Sequence, residues 1–234
     1  MEKIINGIKI EYEKEDKNQV TLICEKLNEK SRNIMDFFEL TEVKNFKIKI
    51  WDNKAEYVTH LKGLLDKREY AEWMIAHTYD GNINILPLRH INQDEFNQNE
   101  TEEGVAINAC HEFVHICQQQ VNKDDSEGWF LEMLATNLGN PENYGWCKTE
   151  FKEYIHFDEL KDMNYLVENF DKINGYKYVY LMGQYLLDNK PHSKFMEWIK
   201  DSKVLHKERQ ELFEECKEFY RTYDSEKTLQ GEQM

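Results

Sequence analysis

Thr101-Glu102-Glu103-Gly104-Val105-Ala106-Ile107-Asn108-Ala109-Cys110-His111-Glu112-Phe113-Val114-His115-Ile116-Cys117-Gln118-Gln119-Gln120-Val121 is the stretch that decides how this 234-residue chain is read. It opens with a hydroxyl residue suited to cap a helix and two acids that suit the positive end of a helix dipole. No proline follows, so a helix over about 101–121 is expected. Within it His111 and His115 stand four residues apart. On a helix that spacing puts both imidazoles on one face, one turn apart, where they can reach a single metal ion. Glu112 lies beside them, placed to touch a water on that metal rather than the metal itself. This is the H-E-x-x-H pattern, in which two histidines bind zinc and the glutamate serves as general base. By chance the pattern turns up in roughly one chain in a hundred of this length, so its surroundings have to support it.

Two histidines do not make a stable zinc site, because a catalytic zinc takes three protein ligands and keeps one position open. Downstream of His115 come Ile116, Cys117 and three glutamines, with no further histidine nearby. His156 is distant and stands in no motif, and Asp124, Asp125 and Glu127 fall in or beside a polar turn, where acids cap and solvate. A second helix is expected over about 127–138, stopped by Gly139-Asn140-Pro141. Glu132 falls in its middle, among Trp129, Phe130, Leu131, Met133, Leu134 and Ala135. A carboxylate buried there is costly unless it is paired with a lysine or coordinates a metal. Glu132 is thus the candidate third ligand.

Upstream the pattern is different. Ile8–Tyr12 and Phe46–Trp51 alternate apolar and polar residues, as half-buried strands do. Apolar residues recur at helical spacing from about Asn18 to Leu40, with a break expected near Ser31. Asp52 or Asn53 reads as the cap of a helix running to about Leu65. Two more strands are expected over 73–78 and 82–86, joined by the turn residues Tyr79-Asp80-Gly81. Everything from about 150 to 223 has helical periodicity only, divided at Asn189-Lys190-Pro191, and the last eleven residues look frayed. The expected fold class is α+β: a small, largely antiparallel sheet with helices over 1–98, then an all-helical part over 99–234 that carries both the His111–His115 helix and the Glu132 helix.

Composition narrows the function classes. Apolar residues make up 40% of the chain, enough for a core, and 3 prolines argue against long linkers. A formal net charge of −15 disfavours nucleic acid or an anionic membrane as partner, since phosphates would be repelled. The charged N-terminal stretch MEKIINGIKIEYEKEDK has no apolar core of a secretory signal, and no run reaches membrane-spanning length. Five scattered cysteines, without C-x-x-C, read as reduced thiols of a cytoplasmic protein.

Trp129-Phe130-Leu131-Glu132-Met133-Leu134-Ala135 resembles the W-L-N-E-G-x-A segment that follows H-E-x-x-H in gluzincin zinc metallopeptidases of the aminopeptidase-like type, also grouped as peptidase MA-like domains. The resemblance covers roughly Phe46 to Leu187. It implies that Glu132 is the third zinc ligand, although Met133 stands where that family favours glycine. Sixteen residues separate His115 from Glu132, a couple fewer than is common there. Tyr180-Leu181-Met182-Gly183 is similar to the family's Y-x-x-G setting, whose tyrosine hydroxyl stabilises the oxyanion. That role falls to Tyr180, with Tyr176, Tyr178 and Tyr185 as competitors and plain core packing as the alternative. The resemblance further implies one Zn2+ ion, a site in the cleft between two subdomains, a peptide or protein substrate, and a sheet-edge strand that binds its backbone. The strand over 73–78 or that over 82–86 is the candidate edge. No G-x-M-E-N segment is present, so exopeptidase activity is not implied. The expectation is a zinc-dependent peptide hydrolase with Glu112 as general base. A catalytically silent binding module on the same scaffold, and a zinc hydrolase of a non-peptide amide, remain the alternatives.

Overall fold

A computed structural model describes residues 1–5, 8–64, 74–91, 97, 100–122, 127–139 and 157–231. The chain divides into two compact units, Met1–Gln120 and Val121–Met234. The expectations for Asp124, Asp125, Asn140, Pro141, Cys147, His156 and the helical run over 150–156 lie outside the described residues.

The first unit is built on five strands: β1 (Glu2–Ile5), β2 (Ile8–Glu11), β3 (Lys47–Ile50), β4 (Ala76–Tyr79) and β5 (Asn82–Ile85), in the order β1-β2-β3-β5-β4. The sheet is mixed rather than largely antiparallel. β2 runs parallel to β3 and β3 parallel to β5, while β1–β2 and β4–β5 are antiparallel. The cause lies in the connections. Helix α1 (Lys17–Phe37) separates β2 from β3, and α2 (Lys54–Leu64) lies between β3 and the final hairpin. A helical crossover brings the chain back to the end where it started, so the next strand it pairs with is parallel. α1 passes through Ser31 without the expected break. Asn53 caps α2, its Oδ1 accepting from Glu56 N at 3.1 Å. Asp80 and Gly81 both have positive φ, 47° and 67°. That is the two-residue turn whose twist matches a β-hairpin, here joining Tyr79 to its partner Asn82.

Ile10, Ile48, Ile83 and Thr78 are successive partners across four strands, and therefore share one face of the sheet. All three isoleucines are buried. His77, next to Thr78, faces the other way, where it meets Tyr57 of α2 with ring centres 5.3 Å apart. After the short α3 (Leu88–Ile91) comes α4 (Glu102–Val121), which carries the two histidines. A division near residue 98 is expected from the change in secondary structure, but the units divide at Gln120–Val121 instead. Packing decides this. The Phe113 ring meets Phe46 at 5.5 Å, Glu103 pairs with Lys26 at 2.8 Å, and Gln120 Nε2 donates to Lys44 O at 3.2 Å.

The second unit is all helical among its described residues: α5 (Gly128–Gly139), α6 (Met163–Glu168), α7 (Gly175–Asn189), α8 (His192–Lys200) and α9 (Ser202–Gly231). Trp198 lies at its centre, with Phe195 at 5.3 Å and Phe130 at 6.0 Å, both edge-on. Arg209 of α9 grips Glu127, at the foot of α5, through both carboxylate oxygens at 2.9 and 2.8 Å. α9 continues to Gly231, further than the frayed end expected from the sequence. The break between α7 and α8 falls at Lys190-Pro191, as the sequence indicates.

Candidate functional site

α4 begins where the sequence says it should. Thr101 Oγ1 accepts from Gly104 N at 3.0 Å, and Glu102 and Glu103 occupy the first turn. From that start, nine and thirteen residues on, His111 and His115 face the same way. Their rings lie 4.9 Å apart, and their Nε2 atoms are 3.2 Å apart. Two nitrogens each about 2.0–2.1 Å from one tetrahedral zinc would stand roughly 3.3–3.4 Å apart. The pair is therefore spaced as a shared cation requires. The His115 Nδ1 is engaged on its other side by Gln118 Oε1 at 2.7 Å. An imidazole held by a carbonyl oxygen at Nδ1 offers its Nε2 lone pair outward, which is the metal-binding tautomer. The donor set fits a zinc ion on both counts.

Glu112 points elsewhere on the helix and is only 6% exposed. A carboxylate so buried needs a hydrogen-bond donor close by. Thr78, on β4, stands 2.7 Å from Glu112 Oε2 and 3.1 Å from its backbone oxygen. β4 is an outer strand of the sheet and β5 an inner one, so of the two candidates for a substrate-binding edge the first occupies an edge. Its described extent is Ala76–Tyr79, and the start of the expected strand, Trp73, lies outside the described residues. Asn108, one turn before His111, is half-buried. Cys110 and Cys117 are buried thiols; burial pushes Cys110 up to about 12 and Cys117 further, so neither is a ready thiolate ligand.

In the second unit, Glu132 is half-buried on α5, between Phe130 and Met133, both fully buried. α5 and α7 pack against each other at a close approach around Gly183. Tyr180 is half-buried one turn before Gly183 and so lies on the α7 face turned to α5. The competing tyrosines have aromatic neighbours: Tyr176 meets Phe170 at 5.0 Å, Tyr178 meets Phe157 at 5.5 Å, and Tyr185 meets Phe219 at 4.8 Å. Tyr178 is also buried, which pushes its phenol up.

Two polar residues of this region were not assigned from sequence. Gln118 follows His115 at the i+3 spacing that puts side chains together on a helix, a signal present in the sequence. Thr78 carries no such signal, because only strand order brings it to Glu112. No protein-family model matches the sequence, and no curated protein and no solved structure matches it either.

Proposed function

We propose that the chain is a zinc-dependent metallopeptidase in which His111, His115 and Glu132 hold one Zn2+ ion and Glu112 is the general base. The observation that carries this reading is the His111–His115 pair, whose Nε2 atoms are 3.2 Å apart, with the buried Glu112 directly after the first histidine and three residues before the second. The chemistry of the donor types adds to it: α4 supplies two imidazoles, and α5 carries the half-buried carboxylate of Glu132. Two imidazoles and a carboxylate are a donor set used by catalytic zinc, and leave one position open.

When bound, such an ion would supply Lewis acidity and bring the pKa of its water down to about 7. Glu112 accepts the proton of the attacking water on its carboxylate and delivers it to the nitrogen of the departing amine. Thr78 Oγ1 donates to one carboxylate oxygen, Oε2, and so holds the orientation of the group that moves the proton. The Tyr180 hydroxyl donates to the oxygen that gains charge as the peptide carbon becomes tetrahedral. β4, an outer strand of the sheet, is where an extended peptide would add as a further strand.

The test is metal analysis of the purified chain together with hydrolysis of a mixed peptide library read by mass spectrometry. One zinc per chain is expected, lost in His111→Ala and Glu132→Ala. Glu112→Gln should keep the zinc and lose hydrolysis by roughly 10²–10⁴-fold. A wild-type chain that binds no stoichiometric zinc overturns the reading. Zinc without turnover of any peptide would leave the silent binding module standing instead.

A further inference from the structure

We infer that Gln118 is a positioning residue that fixes the tautomer and orientation of His115 before any metal arrives, an inference that rests on the metal-binding reading of the same helix. Gln118 Oε1 lies 2.7 Å from His115 Nδ1, and Gln118 is 4% exposed. A carbonyl oxygen accepts only, so Nδ1 must carry the hydrogen and Nε2 the lone pair.

The usual partners of ligand histidines are carboxylates or backbone carbonyls, which cannot turn round. A glutamine amide is neutral and two-sided. With its NH2 towards Nδ1 it would select the opposite tautomer and place a hydrogen where the metal must sit. Gln118 thus both orients the ring and leaves it without the added negative charge that a carboxylate would bring. Its place on α4 makes the arrangement local: residues three apart on one helix need no other element to bring them together.

The experiment has two arms on the full chain. In the metal-free protein, long-range 1H–15N NMR of the imidazoles reads the tautomer directly. His115 protonated at Nδ1 is expected, and His115 protonated at Nε2 overturns the inference whatever the chain does with zinc. In the second arm, zinc affinity is measured by competition with a chelator. Gln118→Leu is expected to weaken binding roughly 10–100-fold, while Gln118→Glu, which restores an acceptor at the same reach, binds at least as tightly as wild type. Should Gln118→Leu not fold, Gln118→Glu carries this arm alone, and a tenfold loss in it overturns the inference. Wild-type affinity in a folded Gln118→Leu overturns it too. Absence of zinc binding by the wild-type chain counts against the metal-binding reading itself, and leaves the NMR arm to decide the role of Gln118.

Discussion

Gly183→Ala should destabilise the second unit by an amount that follows from the contact it spoils. A Cβ at Gly183 would stand 2.0 Å from Asn137 Nδ2, 2.6 Å from its Cγ and 3.1 Å from Met133 Cγ. Asn137 cannot step aside freely. It is 3% exposed, its Nδ2 donates to Met133 O at 2.8 Å, and its Oδ1 accepts from Gln184 Nε2 at 2.7 Å. Overpacking a core contact costs about 1–3 kcal/mol, and displacing Asn137 forfeits one buried and one part-buried hydrogen bond of about 1 kcal/mol each. Replacing a helical glycine by alanine gives back about 1 kcal/mol of helix propensity. The balance is a loss of roughly 2–4 kcal/mol. Urea denaturation followed by circular dichroism reads it, and the double variant with Asn137→Ala should cost less than the two single losses added together. The consequence for function is specific, because α5 carries Glu132 and α7 carries Tyr180. A Gly183→Ala chain that is more stable than wild type by the propensity gain alone would refute the close approach of these two helices.

Three further outcomes are expected. Burial, and next the neighbouring His60, holds the His77 imidazole down from 6.5 to about 4. Below pH 6.5 the unfolded chain therefore binds the extra proton and the folded one does not. Stability is full above pH 6.5 and is lost as pH falls through about 4, by roughly 3 kcal/mol in all. Urea midpoints at pH 7 and pH 4 should show His77→Phe losing less between the two than wild type does, and equal losses would refute the assignment. Thr78→Val removes the donor 2.7 Å from Glu112 Oε2. On a peptide that the wild-type chain hydrolyses, kcat should drop roughly tenfold, the rate equivalent of about 1.4 kcal/mol, with KM little changed and Thr78→Ser close to wild type. A drop that Thr78→Ser shares would show that packing, not the hydroxyl, is what matters there.

The helices at the centre of this reading were legible from the residues alone because every signal they use is local. Thr101 caps α4 through the residue three positions on, and the His111–His115 spacing is a property of one helix turn. The same holds for the Asp80-Gly81 turn and the Asn53 cap. No described helix is long and apolar enough to cross a membrane, as the sequence also indicates. Strand order was not legible. Alternation marks a half-buried strand but carries no information about its neighbour, so the parallel pairs β2–β3 and β3–β5 emerged only when α1 and α2 had been folded across. The unit boundary escaped for a related reason: composition changes where secondary structure changes, whereas Phe113, Glu103 and Gln120 commit α4 to the sheet by contacts with residues 46, 26 and 44. The sequence by itself determined which helix holds the two histidines and how far apart they stand on it. Tertiary structure alone decided that β4 is an outer strand and that its Thr78 reaches Glu112, 34 residues away. Hydrogen bonds between distant segments depend on register, and register is settled by the packing of whole elements.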